Sequence, residues 1–210
     1  MKVLHTLLAA VLLVAAAISN AASYTAGKQY LVLDSQTEPR NPDKIEVVEV
    51  FWYGCGHCNH FEPTVQAWKK FLQADVDFYQ LPAQFSRQWK IHANLFYVTK
   101  ALKVNEQVHQ AIFDSIHKKR EPLFSEGDQK EFLASYGVTE EAYDKVKDSF
   151  GVRRQLKMAD QKVKTWAISG VPAIIVNGKY MVNASSAGGE EKIFDVVNYL
   201  IEKERKALKK

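Results

Sequence analysis

The chain has 210 residues, of which 47% are hydrophobic and 25% charged. This balance excludes a disordered chain and is sufficient for one globular domain with a sizeable buried core. The formal net charge of +4 comes from basic residues spread among acidic ones. That distribution is typical of a solvated surface and argues against a nucleic-acid-binding protein.

The first 21 residues have the parts of a secretory signal peptide. Lys2 supplies a positive start, residues 7–17 are apolar, and Ala21 ends a stretch of small residues that suits cleavage. The apolar run is shorter than the ~20 residues needed to span a bilayer, which favours a cleaved signal over a membrane anchor. We therefore expect the mature protein to be exported.

Strand and helix patterns alternate after the signal. Residues 29–33 form a short apolar run, and residues 45–53 are β-branched and aromatic almost throughout, as in a central strand covered on both faces. A helix pattern begins at Cys55, with Pro63 as an expected kink. Residues 76–81 form the next strand, so the order strand, helix, strand predicts a parallel pair.

The middle of the chain carries helix patterns without strands. Five helices are predicted, over residues 88–100, 106–116, 128–136, 140–148 and 152–166. Strand patterns return at residues 173–176 and 180–182, joined by Asn177-Gly178, a favoured pair for a tight hairpin turn. Residues 190–206 form an amphipathic helix. The prediction is an α/β domain interrupted by an all-helical insertion.

Cysteine usage is the most informative feature of the composition. The two cysteines, Cys55 and Cys58, lie at the junction of a predicted strand and a predicted helix. They would make a poor stabilising disulfide, because closing so short a loop restrains the unfolded chain little. Unpaired N–H groups and the dipole at a helix N-terminus lower the pKa of a thiol. We therefore expect Cys55 to be the exposed nucleophile and Cys58 its buried partner.

Other uses of the cysteine pair remain open. It could be a purely structural disulfide. A zinc site needs four ligands, and His57 and His60 would have to be recruited from the same turn. A covalent haem needs a histidine directly after the second cysteine, and residue 59 is Asn, which excludes that cofactor. In a redox site, His57 would stabilise the thiolate as a cation or donor; otherwise it is an exposed residue without a role.

Two glutamates lie in the apolar strand before the cysteines. Glu49 is six residues before Cys55, and a carboxylate in a covered strand is costly unless it is paired or neutral. It is either an acid of raised pKa that exchanges protons with Cys58 or an acid exposed at a sheet edge. Glu46 lies nearer the strand start, and we expect it to be exposed.

These features together resemble the DsbA family of bacterial periplasmic thiol:disulfide interchange proteins, in the thioredoxin superfamily. The resemblance covers nearly all of the mature chain. It rests on the helical region and on the segments 27–30 (GKQY), 49–51 (EVF), 55–58 (CGHC), 170–172 (GVP) and 176–180 (VNGKY). It implies a thioredoxin fold, formed by residues 22–86 and 165–210, with an inserted all-helical domain at residues 87–164.

The resemblance also implies roles for individual residues. Val171 and Pro172 match the family's cis-proline loop, which faces the cysteine pair and helps to dock substrate peptide. The sequence alone places Pro172 in a turn or at a strand start and leaves a cis bond open. Glu49 matches the family's buried acid, which favours the proton-exchange role.

The implied function is donation of the Cys55–Cys58 disulfide to reduced, unfolded exported proteins in the periplasm. No cofactor beyond this redox-active disulfide is expected, and the protein is expected to be a monomer. The implied reoxidant is a DsbB-like, quinone-linked membrane protein. The alternatives are a disulfide isomerase or reductase of the same fold, and a peptide-binding chaperone whose cysteines are incidental.

One residue departs from the family pattern. DsbA proteins commonly carry C-P-H-C, whereas this chain has Gly56, as in the C-G-H-C motif of eukaryotic protein disulfide isomerase. Glycine adds backbone freedom at the helix start, so we expect a less strongly stabilised thiolate. The sequence predicts that the protein oxidises its substrates, and it leaves open how strongly oxidising the disulfide is.

Overall fold

The computed structural model describes residues 23–208. The predicted signal peptide, residues 1–21, lies outside the described residues. Within the described range, no helix is both long and apolar enough to cross a membrane. These residues form an α/β structure around one sheet.

The sheet is mixed and has five strands. They are β1 (Leu31–Val32), β2 (Ile45–Phe51), β3 (Val76–Pro82), β4 (Ala173–Val176) and β5 (Tyr180–Val182), in the order β1-β5-β4-β2-β3. β2 and β3 are parallel, as predicted, and the other neighbouring strands are antiparallel. Every residue of β2 is buried, which confirms the prediction of a strand covered on both faces.

Helices pack around this sheet. The described α-helices are α1 (Gly56–Lys69), α2 (Arg87–Ala101), α3 (Asn105–Asp114), α4 (Glu126–Ala134), α5 (Glu140–Lys147), α6 (Phe150–Thr165), α7 (Ala184–Ala187) and α8 (Ile193–Leu208). A π-helical turn, Ser115–Lys119, follows α3, and a 3-10 turn, Glu190–Lys192, precedes α8. The run from α2 to α6 lies between β3 and β4, where helices were predicted, and the exact boundaries of an inserted domain stay a prediction. The short α7 was not predicted.

Side chains of β2 alternate between two parts of the core. Val47 lies in a buried cluster with Phe61 of α1, and Val48 lies in a cluster with Trp166, which follows α6. Phe51, at the end of β2, makes an edge-to-face contact with Phe96 of α2, with ring centroids 5.4 Å apart. The strand that leads to the cysteines is therefore held from both sides and at its end.

The hairpin between β4 and β5 has the predicted turn. Asn177 and Gly178 have φ values of 51° and 63°, as a type I′ turn requires, and the Lys179 N–H donates to the Val176 carbonyl at 3.0 Å. A Cβ atom at Gly178 would collide with the Thr37 backbone. Glycine is needed here both for its positive φ and for this close approach.

Glu46 is fully buried, so the expectation that it is exposed is wrong. Its carboxylate accepts hydrogen bonds from Lys162 Nζ at 2.9 Å and from the Arg40 backbone N–H at 3.0 Å. Lys162 lies on α6, 116 residues away along the chain, so no local pattern pointed to this partner. The ion pair ties the last helix before β4 to the first residues of β2.

Loss of the Glu46 partner should destabilise the fold. We expect Lys162→Ala to lower the free energy of unfolding by about 2 kcal/mol, because a buried carboxylate loses its counter-charge. The cost is below the ~3–5 kcal/mol of fully buried pairs, since the Lys162 side chain is 21% exposed. Urea unfolding at pH 7 measures the change.

Lys164→Ala is the matched control on the same helix. The Lys164 side chain is 74% exposed and pairs at the surface with Asp160, so its removal should change the free energy of unfolding by less than about 0.5 kcal/mol. Equal effects of the two substitutions would contradict a structural role for the buried pair.

Candidate active site

The cysteine pair lies where β2 gives way to α1. Cys55 is the N-cap of α1, and its backbone N–H donates to the Trp52 carbonyl at 3.0 Å. The Cys58 N–H donates to the Cys55 sulfur at 3.3 Å. Cys55 is half-buried, Cys58 is fully buried, and both are free thiols. The two sulfurs therefore differ sharply in their access to solvent.

Their surroundings move the pKa values of the two thiols in opposite directions. Hydrogen bonding from the Cys58 side chain, helped by the backbone N–H groups of Cys58 and His57, lowers the pKa of Cys55 to about 6. Burial raises the pKa of Cys58, and its interactions with Cys55 raise it further. At neutral pH the reduced pair therefore holds a thiolate on Cys55 and a thiol on Cys58.

The two residues between the cysteines face solvent. His57 is exposed, and its charge adds a smaller contribution that lowers the pKa of Cys55. Gly56 is also exposed, its backbone is outside the left-handed region, and a Cβ atom there would meet no atom within 4 Å. Nothing in the structure requires glycine at this first helical position, where proline is favoured.

The loop before β4 lies against Cys55. The Val171–Pro172 peptide bond is cis, which the sequence left open, and both residues are half-buried. The Val171 carbonyl oxygen lies 3.6 Å from the Cys55 sulfur. The fold thus places the backbone of this loop beside the more accessible sulfur.

Glu49 is buried and is not at a sheet edge. Only 1% of the residue is exposed, and β2 lies between β3 and β4, so the sheet-edge alternative is wrong. Gln80 donates to Glu49 Oε2 at 2.8 Å, whereas Oε1 has no hydrogen-bond partner among the described residues. Burial, together with the charge of Glu62, raises the pKa of Glu49 to about 8. Its charge in turn raises the pKa of Cys58.

Three residues beside Glu49 carried no prediction. Gln80 lies opposite Glu49 in the parallel register of β2 and β3. Glu62 is fully buried and accepts a hydrogen bond from Gln80 at 2.8 Å; its position four residues after Cys58 is the signal that could have placed it on the same helix face. His109, on α3, lies 3.4 Å from Glu62, and no sequence spacing links the two.

The structure also bears on the zinc alternative. Among residues 23–208, no group of three or more histidine, cysteine, aspartate or glutamate side chains is arranged to hold a metal ion. His60, which such a site would have to recruit, is exposed and lies 3.6 Å from Glu190. The donor set needed for a four-coordinate site is therefore not assembled around the cysteines.

The Cys58 thiol should control the pKa of Cys55. Because its hydrogen bond is the largest contribution that lowers this pKa, we expect Cys58→Ala to move the thiolate midpoint of Cys55 upward from about pH 6. Thiolate absorbance against pH measures the midpoint. His60→Ala, an exposed change on the same helix, should leave it in place, and an unchanged midpoint in Cys58→Ala would refute the assignment.

Proline at position 56 should strengthen the thiolate. Proline fixes φ at a value suited to the first helical position, so Gly56→Pro should hold the His57 and Cys58 N–H groups more firmly toward Cys55. We expect a thiolate midpoint below that of the unchanged protein. Gly56→Ala fills the same open space without fixing φ and should give a smaller shift. A higher midpoint with proline would contradict this account of Gly56.

Comparison with known proteins agrees with this architecture. Residues 65–193 match the family model of the DSBA-like thioredoxin domain. The chain is 43% identical over 192 residues to the thiol:disulfide interchange protein DsbA of Pseudomonas aeruginosa, covering 91% of each chain. It is 45% identical over 181 residues to the protein of the same name from Azotobacter vinelandii, covering 86% of this chain and 85% of the relative.

Solved structures show the same similarity. The crystal structure of Pseudomonas aeruginosa DsbA has a TM-score of 0.85 at 43% identity, covering 89% of this chain and 97% of that one. The oxidoreductase DsbA from Xylella fastidiosa has a TM-score of 0.80 at 31% identity, covering 87% and 98%. These matches confirm the predicted fold class, a thioredoxin fold with inserted helices, and the chain belongs to the DSBA-like thioredoxin family.

Proposed function

We propose that this protein is a thiol:disulfide oxidoreductase that donates its Cys55–Cys58 disulfide to reduced, unfolded proteins exported to the periplasm. The unequal cysteine pair carries the proposal, because Cys55 favours a thiolate and has accessible surface, whereas Cys58 is a buried thiol. The relatives are named thiol:disulfide interchange proteins, which supports the same activity.

The proposed reaction has two exchange steps. A substrate thiolate attacks Cys55, the Cys55–Cys58 bond breaks, and Cys58 leaves with the electron pair and takes up a proton. A second substrate thiolate then attacks the substrate sulfur of the mixed disulfide, and Cys55 leaves as a thiolate. Two electrons pass to the enzyme, and the substrate gains one disulfide.

Four further residues serve these steps in the proposal. His57 adds positive charge near the Cys55 thiolate, and Glu49 supplies and retrieves the proton of the buried sulfur. Val171 and Pro172 form the docking loop, because this cis-proline loop lies against Cys55, with the Val171 carbonyl oxygen 3.6 Å from the Cys55 sulfur. We base these roles on the positions of the four residues and on the charges of His57 and Glu49.

The low pKa of Cys55 favours donating the disulfide over accepting one. A thiolate stabilised in the reduced protein lowers the free energy of that state, so the oxidised protein gives up its disulfide more readily. A low-pKa sulfur is also the better leaving group from a mixed disulfide. Both effects favour an oxidase over an isomerase or a reductase.

A reoxidising partner and a periplasmic location belong to the proposed function. The reoxidant is a DsbB-like, quinone-linked membrane protein that takes the two electrons from the reduced pair. The protein works as a periplasmic monomer after removal of residues 1–21, with the redox-active disulfide as its redox centre and no separate cofactor. The signal-peptide pattern and the family resemblance support this part.

Substrate oxidation tests the roles of the two cysteines. Cys55→Ser should abolish oxidation of a reduced dithiol peptide by the purified protein. Cys58→Ser should instead accumulate a mixed disulfide with a disulfide-containing peptide through Cys55, because no second thiol resolves it. Mass spectrometry of the trapped species distinguishes the two sulfurs, and trapping through position 58 in Cys55→Ser would reverse the assignment.

The same variants separate an enzyme from a chaperone. A Cys55→Ser, Cys58→Ser double variant should fail to restore disulfide formation in cells that lack the protein. Full activity of this variant in cells would favour a peptide-binding chaperone with incidental cysteines.

A further inference from the structure

An open groove borders the outer edge of the sheet. Among the described strands, β3 has β2 as its only neighbour, and a cavity of about 550 Å³ lies along β3. Its lining includes residues 78–81 of β3, Lys69 of α1 and Met158 of α6. Since α1 and α6 pack on opposite faces of the sheet, the groove extends around the strand edge and is not confined to one face.

The backbone of β3 is unpaired on the side of the groove. The Ala83 N–H donates to the Phe51 carbonyl at 2.9 Å, so in the parallel register the odd-numbered residues of β3 bond to β2. Phe78 and Gln80 therefore turn their N–H and carbonyl groups outward, and no described residue bonds to these groups. Pro82 has no N–H and ends the free stretch.

The groove is basic. Among the described residues that line it, the only carboxylate is that of Glu106, against four cations. These cations are Arg40, Lys69, Lys100 and Lys162. An occupant that brings negative charge would therefore be attracted.

Three of the four cations already have carboxylate partners. The pairs are Arg40 with Asp77 at 2.6 Å, Lys69 with Glu106 at 3.1 Å and Lys162 with Glu46 at 2.9 Å.

Lys100 differs, because no described carboxylate lies within ion-pairing distance of its Nζ. Part of its surface is exposed, yet burial of the rest lowers its pKa. The charge of Glu106 opposes this shift, and those of Lys69 and Arg40 add to it. Lys100 is thus a cation among cations, and a carboxylate in the groove would relieve that repulsion.

Apolar surface lies beside these charges. The lining includes the aromatic side chains of Phe78, Tyr79, Phe96 and Tyr97. Met158 is 43% exposed, and Phe150, which lies between lining positions 149 and 151, is 74% exposed. An extended peptide suits such a groove, since its backbone can pair with a free strand edge while its side chains alternate between the two faces. The volume is within the ~300–1,000 Å³ range of ligand sites.

We propose that this groove is a second contact site for unfolded substrates, in which an extended, acidic segment adds as a strand to β3 and places its carboxylates among the lining cations. The inference rests on the proposed function, in which such substrates are oxidised at Cys55. Pro82, at the end of the groove, lies opposite Phe51, and Phe51 is four residues before Cys55. One substrate chain can therefore reach both sites.

A second copy of this protein is a less suitable occupant. Pairing two β3 edges would bring the cations of both grooves together, and like charges that face each other across an interface disfavour association. An acidic segment has the opposite sign and needs no such compensation.

Binding of a cysteine-free peptide tests the site itself. The probe has seven residues that alternate valine with glutamate or aspartate, and it is titrated into the oxidised mature protein by calorimetry. We expect saturable binding that weakens as salt is added, with NMR shifts at the Phe78 and Gln80 amides. A peptide with lysine in place of the acids, and the acidic peptide with every backbone nitrogen methylated, should not bind. Equal binding of either control would overturn the proposed mode.

Two substitutions in the groove test the role of charge. Lys100→Gln should raise the Kd of the acidic peptide by about fivefold, whereas Lys90→Gln removes an exposed charge outside the groove on the same helix and should leave the Kd in place. Gly151→Asp puts a negative charge at a lining position and should also weaken binding. An acid in the first turn of α6 favours the helix dipole, so thermal unfolding of this variant should not occur at a lower temperature.

Kinetics test the use of the groove by substrates. An acidic segment joined to a dithiol peptide through a flexible linker of about ten residues, which spans up to ~33 Å, should lower KM by about threefold or more and leave kcat unchanged. Lys100→Gln should remove most of this gain, and a lysine-containing segment should give none.

The outcomes separate this inference from the proposed function. Absence of peptide binding, an equal Kd in Lys100→Gln, or a KM that the acidic segment does not change would overturn the inference while peptide oxidation stays intact. A concentration-dependent dimer that the peptide dissociates would make the occupant a second copy and would overturn it too. A protein that binds the peptide but oxidises no dithiol peptide would overturn the proposed function instead.

Discussion

The site depends on one constraint, which is that two sulfurs one helical turn apart have unequal surroundings. Cys55 caps α1 and receives hydrogen bonds that favour its thiolate, whereas Cys58 enters the core and is held as a thiol. The cysteines take these positions because β2 ends at Phe51 between two neighbouring strands and α1 begins at Gly56 after a short turn. Because β2 is packed on both faces, its course is fixed, and so is the position of the cysteines that follow it.

The burial of Cys58 also means that its sulfur needs a proton donor inside the core. A sulfur that leaves as a thiolate in a buried position needs a proton from a nearby group, since solvent does not reach it. We propose Glu49 as the source of this proton, because its carboxyl group is buried, its charge acts on Cys58, and one of its oxygens has no hydrogen-bond partner among the described residues. Hydrogen bonds from Gln80 to Glu49 and to Glu62 then join β3, β2 and α1 beneath the cysteines.

Features that depend on local sequence were predictable. The apolar run of β2, the helix start at Cys55 and the turn at Asn177-Gly178 follow from the residues themselves. Features that depend on distant partners were not. Glu46 is buried because Lys162 reaches it from α6, and His109 meets Glu62 only through the packing of α3. The family resemblance supplied the cis-proline loop, which spacing alone left open.

The redox equilibrium with glutathione, measured as a function of pH, tests the central claim most directly. A Cys55 thiolate with a pKa of about 6 stabilises the reduced protein fully above the ordinary thiol pKa and loses this stabilisation as pH falls through 6. We therefore expect a disulfide more oxidising than that of thioredoxin. As the pH rises from about 6 to the ordinary thiol pKa, the equilibrium should move toward the reduced protein by about tenfold per pH unit. A potential as low as that of thioredoxin, without this pH dependence, would contradict the account.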